Sequence, residues 1–244
     1  MKIRRQIQAA GLAVTAALCL LAPGIALAGA PVVYSPTVIA GQTELETRGS
    51  REHTNGIGTE YKYAFAVGHA FTSWWRPEVY LGRYERGTDG TTVYAGTELE
   101  NIFQLAPTGK YWADLGFLFA YEFNPSSLES DKVEFGPLFE KRVGRALHQL
   151  NLLWEKGVGP GSSAKYEFKG AYSYRYAVTK LFAPGFEVFT SPSDSNYRAG
   201  PVIYGEKVFG ASGHELEYSV GLLLPLNSSS PDTTFVFRLE YEIF

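Results

Sequence analysis

Among the short runs that carry paired carboxylates at i and i+2 are Glu44/Glu46, Glu215/Glu217 and Glu240/Glu242. On a β-strand, residues two apart share a face and lie about 6.5–7 Å from each other. Each pair therefore turns two negative charges to one side. Arg48 follows the first pair by a further step of two, and Arg238 precedes the last by the same step. Carboxylates so placed can close into an ion-paired network with those bases. Left in excess, they form a vestibule that draws cations or holds a hard cation.

The elements that position these groups follow a leader. Lys2, Arg4 and Arg5 precede an uncharged apolar run that ends in Ala26-Leu27-Ala28, the layout of a cleavable signal peptide over residues 1–28. Its removal takes away the chain's one Cys and one Met. Disulfide frameworks and thiolate metal sites are then excluded. It also removes three bases, so the remainder is more acidic than the formal −3 of the whole chain. Nothing points to nucleic acid, which would want a basic surface.

Residues 29–42 read as a short extended lead. Beyond it, apolar and polar residues alternate with period two, and Gly, Pro, Ser, Asp and Asn break the runs at regular spacing. The pattern predicts twelve strands, at 43–52, 59–69, 74–85, 92–105, 110–123, 132–143, 146–156, 165–178, 181–190, 197–208, 214–225 and 233–244. Only 145–154, RALHQLNLLW, reads as easily as a helix. Most runs exceed the ~5–6 residues common in soluble strands and suit the ~9–11 that cross a bilayer at a tilt. Connections alternate between polar segments such as REHTNGIG and NPSSLESD and shorter, less polar ones such as APTGK and VGRA. An up-and-down barrel with six outer loops and five inner turns predicts that alternation. The expected fold is all-β, a transmembrane antiparallel barrel over 43–244.

Splitting the strands by phase gives one face rich in aromatics near the strand ends, among them Tyr61, Trp75, Tyr121, Trp154, Tyr176 and Tyr241. Aromatic belts at two membrane interfaces would place them there. The other face mixes Gly, Ala and Ser with charge. By phase, Arg76 and Arg175 join Arg48 and Arg238 as lumen bases, and acids outnumber bases. Strands 1, 11 and 12 are neighbours if the sheet closes, which brings the six carboxylates together at the periplasmic mouth with Arg48 and Arg238 one step deeper. A lumen with that much charge is expected to be hydrated or ion-paired. Every outer loop is short, so none is expected to fold in as a constriction. Two Gly-Pro steps, in FGPLFEK and AGPVIYGEK, are expected to mark bulges or kinks.

The leader, the alternating strands and the aromatic last strand, FVFRLEYEIF, resemble Gram-negative outer-membrane β-barrels. More loosely, the chain is similar to the small porin-like proteins grouped with the meta-pathway phenol-degradation family. The resemblance implies a place in outer-membrane lipid, insertion by the barrel-assembly machinery through the C-terminal strand, and small solutes as partners. Such barrels usually end on an aromatic in phase with the outer face; here Phe244 is one step off. Outer-membrane lipases carry a Ser two residues after the catalytic His. His53, His69, His148 and His214 all lack one, and Asp89, Asp114, Asp131, Asp194 and Asp232 are scattered rather than paired. The expectation is a non-enzymatic barrel without cofactor, a passive channel for small polar or cationic solutes. The alternative is a non-conducting barrel with an ion-paired lumen and a structural or interaction role.

Overall fold

The computed structural model describes residues 30–125, 130–160, 162, 164–210 and 213–244; the leader 1–28 read from the sequence lies outside them. The strands are β1 Thr43–Thr54, β2 Gly58–His69, β3 Trp75–Arg86, β4 Thr92–Gln104, β5 Asp114–Phe123 and β6 Asp131–Val143. They continue as β7 Ala146–Val158, β8 Glu167–Tyr176, β9 Ala183–Ser191, β10 Asn196–Phe209, β11 His214–Pro225 and β12 Thr233–Ile243. Each pairs antiparallel with the next, and β12 pairs with β1, so the sheet closes. The ambiguous stretch 145–154 is part of strand β7. β5 starts later than its sequence pattern, because Gly109 donates its N–H to Asp114 Oδ1 at 2.5 Å and Lys110 donates to the Pro107 carbonyl, which makes 107–113 a turn.

Alternation sorts the side chains. On β2, Ala64 and Ala66 are buried in the lumen while Tyr63, Phe65 and Val67 face out. On β11 and β12, Val220, Leu222, Leu224 and Phe235 are exposed on the outside, and Leu223 and Val236 are buried within. The outward rings gather at the two ends. His69, Phe71, Trp75, Trp74 and Phe103 form one chain of ring contacts near the inner turns, with Phe209, His214 and Tyr241 at the same end. Tyr84–Tyr94, Tyr121–Phe123 and Trp154–Phe168 lie toward the outer loops. Two aromatic belts around a closed, outwardly apolar barrel match a bilayer's two interfaces. Lipid offers the backbone no hydrogen bonds, and closure leaves no edge strand to need them.

Two local features depart from the sequence pattern. The Gly-Pro steps are not bulges: β6 and β10 keep one register on both sides of Gly136-Pro137 and Gly200-Pro201. What they lack is side-chain volume. A Cβ at Gly136 would sit 2.0 Å from the Leu152 carbonyl oxygen, and one at Gly200 would sit 2.0 Å from that of Leu222. The glycine lets the neighbouring strand close in where proline has removed a ladder hydrogen bond. The irregularity falls in β3 instead, where the register shifts between Tyr80 and Arg83. The step over Leu81 and Gly82 turns Arg83 into the lumen, a phase that strict alternation denies it.

The core lies inside the barrel. Ile102, Leu118, Leu138 and Leu153, from β4 to β7, pack with Tyr34, Val38 and Ala70. On the opposite wall Ala183, Phe189, Val202, Leu223 and Val236, from β9 to β12, pack with Val33. Val33, Tyr34 and Val38 belong to the lead before β1, so that segment fills the lumen. The orientation can be checked on the outside. Val220 lies midway along β11 facing out; Val220→Arg is expected to destabilise the lipid-embedded barrel by about 2–4 kcal/mol. Equilibrium unfolding from vesicles measures this, and an unchanged stability would contradict a lipid-facing position.

Candidate functional site

The lumen is divided by the chain's own N-terminal lead. Ala30 lies beside a cavity at the outer end, and Gln42 lines one at the inner end. Between them, Pro31, Val32 and Tyr34 border both cavities, each of about 300 Å³. This strap is fastened by side chains rather than by a strand ladder. Asn151 of β7 accepts from the Tyr34 N–H at 2.7 Å and donates to the Tyr34 carbonyl at 3.0 Å, so one buried amide satisfies both backbone groups. The Tyr34 hydroxyl donates to Glu100 at 2.6 Å. Ser35 donates to Glu140 at 2.9 Å, and Gln104 accepts from the Val38 N–H at 2.8 Å. Pro36 rests on Gly116 of β5, where an added Cβ would come within 2.6 Å of the Pro36 Cβ. The constriction of the bore comes from the lead and not from an outer loop, a role that the sequence pattern does not assign to residues 29–42.

At the seam, register decides which carboxylates meet. Glu44 is opposite Glu242, and Glu242 is opposite Glu215. Glu46, Glu240 and Glu217 form the next row, and Arg48, Arg238 and Ser219 the one above. The six acids do not share one environment. Glu44, Glu46 and Glu240 are buried, whereas Glu215, Glu217 and Glu242 line the inner cavity. The burial of the first three comes from cations and a tyrosine drawn over them. Arg76 of β3 pairs with Glu44. Arg238 reaches Glu46 at 2.5 Å and Glu240 at 2.8 Å. Tyr80 donates to Glu46 at 2.8 Å.

Arg48 stands at the centre of the lumen. It lines both cavities, lies 3.4 Å from Glu46 and from Glu100, and sits 4.3 Å from the centre of the Tyr80 ring. Its Nη1 also approaches the Tyr34 hydroxyl at 3.5 Å. The guanidinium thus ties the strap to the seam through hydrogen bonds and its contact with the aromatic face. Arg175, the remaining lumen base read from the sequence, stands apart on β8, 3.8 Å from Glu217 and over the Tyr204 ring.

The two cavities differ in charge. The outer one is lined by Lys62, Arg83, Lys132, Lys169, Arg198 and the shared Arg48 against Glu98, Glu122, Glu134, Glu155 and Asp194. Its charges are matched, as in Lys169 with Glu155 at 2.5 Å and with Glu134 at 2.9 Å, or Arg83 with Glu122 at 3.1 Å. The inner one is lined by seven glutamates, at positions 140, 187, 206, 215, 217, 240 and 242, against Arg76, Arg142, Arg175, Arg238 and the shared Arg48. The off-phase Phe244 also lines that inner cavity, just past the end of β12.

Several groups here escape the sequence pattern. Arg83 is hidden by the β3 bulge, for which Gly82 is the one sign. Glu52 continues the lumen phase of Glu44 to Ser50, pairs with Arg198 at 3.0 Å, and could have been found by alternation alone. Lys132 likewise shares the phase of Glu134 and pairs with Glu155 at 3.1 Å. Tyr34 lies in a segment without period, and nothing in the sequence marks it.

Neither a scan against protein-family models nor a comparison with curated proteins finds a match. Among solved structures, the barrel is similar to an outer membrane channel from Pseudomonas putida F1. The TM-score is 0.60 at 13% identity, over 88% of this chain and 99% of that one. An anion-selective porin from Comamonas acidovorans is a looser match, with a TM-score of 0.37 at 5% identity over 83% of this chain and 98% of that one. The likeness is one of fold: twelve strands closed as in an outer-membrane barrel.

The strap's fastening is open to test. Asn151→Ala leaves the Tyr34 N–H and carbonyl unpaired in the lumen, at about 1–3 kcal/mol for each group. Gly116→Val drives a side chain against Pro36. Both are expected to speed hydrogen exchange at the Tyr34 and Val38 amides while the strand amides stay protected; unchanged exchange would contradict the docking described.

Proposed function

We propose that this chain is an outer-membrane channel for small polar or cationic solutes, with passage limited by the strap of residues 30–42. The observation that carries this reading is the pair of polar cavities, one at each end of the barrel, separated by a single extended segment. A stable barrel without transport has no need of two such chambers. The segment between them is held by a few side-chain hydrogen bonds and can yield without breaking the sheet. The acid excess of the inner cavity supports the cation preference, because a ring of carboxylates raises the local concentration of cations at a narrow mouth. Outer-membrane lipid surrounds the barrel, and the barrel-assembly machinery engages β12 during insertion. No enzymatic role is proposed.

A second reading has an observation of its own. Val33 and Val38 are packed into apolar patches on opposite walls. A strap held on both sides in that way would suit a closed barrel with a structural role.

Reversal potentials in planar bilayers under a salt gradient test the channel reading. The expected result is cation preference in the wild type, reduced when Glu215, Glu217 and Glu242 are changed together to Gln. Anion preference would overturn the cationic reading, and no conductance at all would favour the second.

A further inference from the structure

We infer that the buried end of the seam is a binding site for one hard divalent cation of calcium's size, held by Glu44, Glu46 and Glu240 with Glu78. The inference concerns a site within the wall and does not depend on conduction. Oxygens of Glu44, Glu46 and Glu240 lie within 4.8 Å of one another. Two ligands on opposite sides of a calcium ion, each at about 2.3–2.6 Å, stand about 4.6–5.2 Å apart. Three carboxylates at this spacing can share one ion once the Arg238 guanidinium, which bridges Glu46 and Glu240 at 2.5 and 2.8 Å, turns aside.

A cluster of acids is not by itself a site, and the independent observation is Glu78. It lies on β3, opposite Gly68 of β2, and Gly68 lies opposite Glu44. Gly68 has no side chain, and its missing Cβ would sit 3.4 Å from the Glu78 Cβ and 3.5 Å from its Cγ. The Glu78 side chain thus lies across Gly68 toward Glu44. It is only 3% exposed, and its Oε1 has no hydrogen-bond partner among the described residues. Glu44 Oε1 is in the same condition, with Arg238 Nη2 no nearer than 3.9 Å. Two buried carboxylate oxygens without donors, beside a three-carboxylate cluster, are what a missing cation would satisfy.

Charge points the same way. The acids packed together here are Glu44, Glu46, Glu78, Glu100 and Glu240, and the bases among them are Arg48, Arg76 and Arg238. With all ionised, the cluster carries two unmatched negative charges, and one divalent ion balances them. Glu240 also lines the inner cavity, which gives the ion a path from the periplasmic end. Bound there, the ion would join β1, β12 and β3 across the closure of the barrel.

The test uses the full mature barrel, folded, stripped with chelator and titrated with calcium chloride by calorimetry. Thermal unfolding is followed in parallel. The expected result is one saturable site per chain and a higher Tm with calcium. Glu240→Gln and Glu78→Gln should each weaken binding by about 10–100-fold. Glu206→Gln, on β10 and paired with Lys180 at 2.5 Å, should leave it unchanged. Glu78 makes no ion pair in the cluster, so Glu78→Gln separates ligation from folding should Glu240→Gln unfold the seam. No saturable binding in the wild type would overturn the proposal and leave two protons as the balancing charge. Equal weakening by all three variants would overturn it in favour of diffuse adsorption at the mouth.

Discussion

A sheet in lipid has to close, and in this chain closing it means laying β1 against β12. That pairing runs from Thr43 opposite Ile243 to His53 opposite Thr233. Once the register is set, alternation leaves no freedom about what faces the lumen at the seam. Glu44 and Glu46 meet Glu242 and Glu240, and β11 adds Glu215 and Glu217. Like charges opposite each other are unfavourable, so the closure holds only if cations reach into these rows. Arg76, Arg238 and Arg48 supply them from three strands. The arrangement of the lower lumen, including the position of Arg48, follows from that one pairing.

Arg48 links this seam to the strap. A guanidinium has five donors and no acceptor, and here it faces Glu46 on its own strand, Glu100 across the lumen, and two tyrosine rings. Tyr34 is one of those rings and is itself hydrogen-bonded to Glu100. The strap is thus polar where it meets the seam and apolar where Val33 and Val38 meet the walls. A twelve-stranded barrel is wider than its own side chains can fill. The strap supplies the missing volume and leaves an ion-matched chamber on one side and an acid-rich chamber on the other.

The fold was legible because a β-barrel writes its geometry into alternation. Twelve runs, breaks between them, and polar segments alternating with short turns are enough to order the strands. The seam carboxylates were legible for the same reason, since ExE on neighbouring strands needs only closure to bring the pairs together. Burial was not. Glu44 and Glu215 each open a Glu-Leu-Glu run, yet one is sealed and the other open. The difference lies in Arg76 and Tyr80, which come from β3. Arg83 was lost because one bulge inverts phase for the rest of β3. The strap was lost because residues 30–42 have neither period two nor period 3.6, and a segment that docks by side-chain hydrogen bonds leaves no repeat to read. Leu118, Leu138, Leu147 and Leu153 hold lumen positions, and they are the one sequence sign of a wall that needs an apolar partner.

The account turns on the strap as the barrier between the two chambers. Single-channel conductance of the wild type beside the Tyr34→Ala, Asn151→Ala double variant tests it most directly, because these changes remove the strap's bonds to Asn151, Glu100 and Arg48 and leave the sheet intact. The account predicts a several-fold larger conductance in the variant with cation preference retained. Equal conductance in the two proteins would contradict it.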